Sequence, residues 1–115
     1  MTPIIVYVKK GADIRFLRQE LTDRLHQIAT VFIYHSPAGF RFVVTSGNDS
    51  KHSVGSLHYI NCAVDARIKY WPNGVEVYLT DNEQGQIKTD LDKVLGPDWD
   101  IVIESTHIHI EWDPT

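Results

Sequence analysis

The sequence predicts an α+β domain, a small and mostly antiparallel sheet with one early and one late helix packed on it. Three observations carry that expectation. Apolar residues at three-and-four spacing follow Asp13 (Ile14, Leu17, Leu21, Leu25 and Ile28). Thr80 and Glu83 have the spacing of a capping box, and a second apolar run follows them through Ile87, Leu91, Val94 and Leu95. Short β-branched or alternating segments fill much of the remainder. There is no internal repeat and no linker, so the 115 residues read as a single domain, 1–115, large enough to bury a core.

Taken in order, Ile4 to Val8 reads as a first strand, closed by Lys9-Lys10-Gly11. Asp13 is placed to cap the first helix, with Arg15, Arg18, Glu20, Asp23 and Arg24 on its outer face. Val31 to Tyr34 fits either the end of that helix or a strand. Ser36-Pro37-Ala38-Gly39 is a turn, and Phe40 to Thr45 a strand. A polar loop from Ser46 to Gly55 follows. From Cys62 to Ile68 the chain alternates: Cys62, Val64, Ala66 and Ile68 share one face, Ala63, Asp65 and Arg67 the other. Pro72-Asn73-Gly74 is a hairpin turn signal between Tyr70-Trp71 and Val75 to Leu79. The late helix stops at Gly96-Pro97. Ile101 to Glu104 and His107 to Trp112 form two strands or one bent strand, with His107, His109 and Glu111 on one face and Ile108, Ile110 and Trp112 on the other.

Composition removes several function classes. The formal charge is -4 and the acids are scattered, so no basic stripe points to nucleic acid. Cys62 is the one cysteine, which excludes an intramolecular disulfide and reads as a small buried apolar residue. The segment MTPIIVYVKKG lacks the order of a signal peptide, and no run approaches a membrane span. The expectation is a chain made in the cytosol and not inserted in a membrane, one that needs release by another factor if its substrate lies elsewhere.

The chemistry-bearing residues fall in two stretches, SKHSVGSLHYINCAVDARI from Ser50 and IVIESTHIHIEW from Ile101. Asp65 interrupts an apolar strand, and a buried carboxylate must be paired or coordinate a metal; Arg67 is the alternative structural partner. Two histidines, an aspartate and a spare glutamate are the parts of a catalytic zinc site, in which three protein ligands leave one position to water. On this reading His58, Asp65 and His107 hold one zinc ion and Glu104 carries the proton. His26 and His35 read as surface residues. His52 and Tyr59 are weaker candidates for lining the cleft.

Two motifs carry a resemblance. Ser56-Leu57-His58 with Asp65, then Glu104-Ser105-Thr106-His107, has the order S-x-H-x6-D and E-x-x-H. It resembles the zinc D-alanyl-D-alanine peptidases, which include bacterial carboxypeptidases and dipeptidases and phage endolysins cleaving peptidoglycan stem peptides. The resemblance implies a hedgehog/DD-peptidase-like fold and zinc on the positions matching His58, Asp65 and His107. It also implies Glu104 as catalytic acid/base and hydrolysis of a peptidoglycan peptide as carboxypeptidase or endopeptidase. The E-x-x-H register selects His107 over His109, leaving His109 to orient a ligand or to donate to substrate. The chain departs from the family in two places. Asn61 stands where glycine is usual, and the loop before His58 has Lys51 but no arginine for a substrate carboxylate. Lys51 or Arg67 could serve there, although lysine lacks the bidentate fork. Two other readings compete. One is a catalytically inactive, zinc-stabilised binding or virion protein of the same fold; the other is a cysteine hydrolase using Cys62 with His58.

Overall fold

The computed structural model describes residues 4–15, 17–47 and 62–114. In chain order the elements are β1 (Tyr7–Val8), α1 (Gln19–Thr22), α2 (Leu25–His35), β2 (Val43–Ser46), β3 (Ala63–Arg67), β4 (Lys69–Tyr70), β5 (Val77–Tyr78), α3 (Asp81–Leu95), β6 (Trp99–Ile103) and β7 (His107–Trp112). The α+β expectation holds, and β6 and β7 are two strands of a hairpin rather than one bent strand.

The first helix is shorter and later than its periodicity predicts. Asp13 caps no helix; its carboxylate accepts from the backbone N–H of Arg15 (2.9 Å) and pairs with the Arg15 guanidinium (3.0 Å). That contact holds the Asp13 carboxyl below the usual carboxylate range. The apolar spacing is then shared between a loop, the four-residue α1 and the eleven-residue α2. Leu17, Leu21, Leu25 and Ile28 all reach the core although the helix is broken between Leu21 and Leu25. Val31 to Tyr34 belongs to α2.

The late helix α3 follows its signals closely. The Thr80 hydroxyl accepts from the Glu83 N–H (3.1 Å), and the Glu83 carboxylate accepts from the Thr80 N–H (2.8 Å). Ile87, Leu91 and Leu95 line its buried face, and Gly96 ends it with φ 89°. The turn through Pro72–Gly74 joins β4 to β5, with Asn73 and Gly74 both at positive φ. Asn and Gly are the residues that enter this region at least cost.

The main sheet has the order β1-β2-β3-β7-β6. Its pairs β2–β3, β3–β7 and β7–β6 are antiparallel, but β1 runs parallel to β2. The expectation of a mostly antiparallel sheet is therefore corrected to a mixed one. A parallel neighbour needs a crossover of a dozen or more residues, and the segment carrying α1 and α2 supplies it. Phe32, Phe42, Val44, Val64, Ala66, Ile87, Leu91, Ile108 and Ile110 form the centre of one continuous core between the helices and one sheet face. The Phe32 and Phe42 rings meet edge to face at 4.9 Å. No helix among the described residues is long and apolar enough to cross a membrane.

His35, expected on the surface, is largely covered. It ends α2, and its Nε2 lies 2.9 Å from the Asp90 Oδ2 of α3. A partner 55 positions away has no local signature. His26 is exposed as expected.

Candidate functional site

The alternation of β3 and β7 sorts side chains by chemistry. Val64 and Ala66 face the core with Ile108 and Ile110, leaving Asp65 and Arg67 on the other face with His107, His109 and Glu111. The register sets Asp65 opposite His109 and Arg67 opposite His107. Side chains directly opposite on antiparallel strands have Cβ atoms about 4.5–5.5 Å apart. Two strands distant in sequence thus bring these groups together without any loop.

Glu104 joins the group through the β6–β7 hairpin. The chain reverses through Ser105 and Thr106, and the Glu104 N–H donates to the His107 carbonyl (2.9 Å). A three-residue offset that would share one helix face here makes cross-strand neighbours. Glu104 Oε2 lies 2.9 Å from His107 Nε2, and Asp65 Oδ1 lies 3.6 Å from the same nitrogen. On the far side of that ring, Nδ1 is 2.9 Å from the Thr106 hydroxyl.

Asp65 Oδ1 is also 2.8 Å from His109 Nδ1, and His109 Nε2 is 3.0 Å from Glu111 Oε1. The hydrogen bond to Asp65 is the main reason that the His109 pKa rises from 6.5 to about 9; burial opposes the rise and Glu111 adds to it. His109 is therefore a cation at neutral pH, with both ring N–H groups given to carboxylates. That arrangement places His109 to orient the Asp65 carboxylate, the first of the two roles expected for it.

The residues suit zinc at the two predicted positions that are described. Two ligand atoms on one tetrahedral zinc, with bonds of about 2.0–2.2 Å, stand roughly 3.4 Å apart, close to the 3.6 Å between Asp65 and His107. Ligating histidines hand their second ring N–H to a neighbour, and ligating carboxylates are themselves hydrogen-bonded; Thr106 and His109 are placed for those tasks. Glu104, whose side chain is exposed, would have to release His107 Nε2 for the ring to bind an ion. Among the described residues, no group of three or more His, Cys, Asp or Glu side chains is arranged to hold a metal ion. The predicted third ligand, His58, lies outside the described residues, as do Lys51, His52, Ser56, Tyr59 and Asn61.

Arg67, expected near substrate or as a partner of Asp65, packs beside Trp71 and makes no ion pair with Asp65. Its guanidinium carbon sits 5.2 Å from the Trp71 ring centroid. Cys62 is buried, and burial pushes its thiol pKa up, the reverse of what activates a cysteine nucleophile. Thr106 and Glu111 were not singled out by the sequence argument. Thr106 sits inside the E-x-x-H motif, and Glu111 follows His109 by two on the same strand face, so the period of two was a usable signal.

No family model, no curated protein and no solved structure matches the chain.

Proposed function

We propose that this chain is a zinc-dependent metallopeptidase that hydrolyses amide bonds in peptidoglycan stem peptides. The observation that carries the reading is the meeting of Asp65, His107 and Glu104 on the open face of the sheet. The first two are at a separation suited to one ion, and the third is within 2.9 Å of His107. The substrate class rests on the resemblance of the two motifs to the D-alanyl-D-alanine peptidases.

His107 through Nε2, Asp65 through Oδ1 and His58 would hold the zinc. When bound, zinc supplies Lewis acidity and lowers the pKa of water to about 7. The protein's own work is positional and protonic. With Nε2 given to the metal, the His107 Nδ1–H would donate to the Thr106 hydroxyl, and His109 holds the Asp65 carboxylate. Glu104, on a short hairpin turn and outside the ligand set, accepts a proton from the attacking water on its carboxylate. It then returns that proton to the leaving amine, acting first as general base and then as general acid. A ligand set closed by a fourth protein group would have no use for a further carboxylate at this point.

The test is mass spectrometry of purified murein peptides after incubation with the zinc-loaded protein, with and without chelator. The proposal expects new peptide termini that disappear with chelator. Murein peptides left intact by protein shown to contain zinc would overturn the catalytic reading in favour of an inactive binding protein.

A further inference from the structure

The open face of the sheet continues past His107 into a second, chemically opposite region. Tyr7 on β1 lies beside Val43 on β2, and Arg67 on β3 lies beside His107 on β7. Around Tyr7, Val43 and Arg67 is a pocket of about 490 Å³, closed by Arg41, Lys69 and Trp71. That volume is within the range of sites that take small organic ligands.

Among the described residues, three cations line this pocket and no carboxylate does, in a chain whose net charge is -4. Each cation is held against an aromatic ring. Arg41 stands 5.2 Å from the Tyr7 centroid, Arg67 5.2 Å and Lys69 5.5 Å from the Trp71 centroid. Lys69 is partly neutralised by Glu76 at 3.1 Å. Neither Arg41 nor Arg67 has a carboxylate partner among the described residues. A guanidinium packed over a ring can still present its N–H fork to a planar anion, and that fork matches a carboxylate.

Beyond Arg67 the sign reverses. Asp65, Glu104 and Glu111 occupy the same face. A polyanion laid across the sheet would meet those acids, which disfavours nucleic acid. A ligand charged at one point and neutral beside it fits both regions. We propose that this pocket binds the carboxylate of an acidic residue in a peptide, with the neutral amide next to it directed toward Glu104 and His107. The inference rests on the peptidase reading for the fate of that amide; the binding itself does not.

The test is calorimetry with the full chain in chelator-containing buffer. The probes are a short end-blocked peptide with one glutamate, its glutamine counterpart, and a single-stranded oligonucleotide. The glutamate peptide is expected to bind roughly tenfold or more tightly than the glutamine peptide, and a preference lost in Arg41→Gln/Arg67→Gln supports the pocket. The wild-type comparison stands even where that double variant folds poorly. Equal affinity for the two peptides would overturn the proposal, as would a preference that survives in the folded double variant. Tighter binding of the oligonucleotide than of the glutamate peptide would overturn it in favour of a nucleic-acid surface. Because no turnover is read, a failure of hydrolysis leaves this result untouched, and a failure here leaves the zinc test untouched.

Discussion

The two faces of the β3–β7 pair are built from alternate residues of the same strands and do opposite things. On one, Val64, Ala66, Ile108 and Ile110 are buried in a continuous core. On the other, Asp65, His107, His109 and Glu111 form a chain of charge-assisted contacts of 2.8 to 3.6 Å. Neighbouring residues therefore carry stability and chemistry in turn. The core face holds the register, and the register alone brings Asp65 against His109, so a slip of one residue would exchange the two faces.

The largest effect should come from the core face. Ile108→Ala leaves a cavity at a fully buried position and should cost about 2–5 kcal/mol, measured by urea unfolding. A cost under about 1 kcal/mol would mean that this face is not tightly packed. A smaller effect on the open face depends on pH. The folded-state pKa of His109, about 9, lies above its ordinary 6.5. In zinc-free protein its charged contacts thus stabilise the fold fully below pH 6.5, and the contribution fades as pH rises through about 9. The difference is at most about 3 kcal/mol. His109→Gln should remove this part of the pH dependence, and an unchanged difference between variant and wild type from pH 6 to pH 10 would refute the assignment. The smallest effect lies away from both faces. Thr80→Ala removes a capping box and should cost about 1 kcal/mol, with zinc content and hydrolysis unaltered; a change in either would couple α3 to the site.

The parts legible in the sequence were those with local causes. The Thr80–Glu83 box, the Gly96 stop, the Asn73-Gly74 turn and the strict alternation around Asp65 each encode their geometry within a few residues. The sharing of a face by Asp65 and His107 follows from a period of two once their strands are neighbours, whereas Glu104 was named only through its E-x-x-H motif. The start of the first helix was not legible. Apolar spacing is satisfied equally by a broken helix and a packed loop, and Asp13 spends its carboxylate on Arg15. The parallel β1, the His35–Asp90 pair and the cationic pocket arise from pairings between distant segments, for which no short motif exists.

The account stands most directly on the division of labour between ligands and Glu104. Glu104→Gln, purified beside wild type, should be measured for bound zinc and for hydrolysis of murein peptides in the same preparation. One zinc per chain with hydrolysis reduced to background is the predicted result. Full hydrolysis by the variant would contradict the role of Glu104, and loss of zinc from it would make Glu104 a ligand.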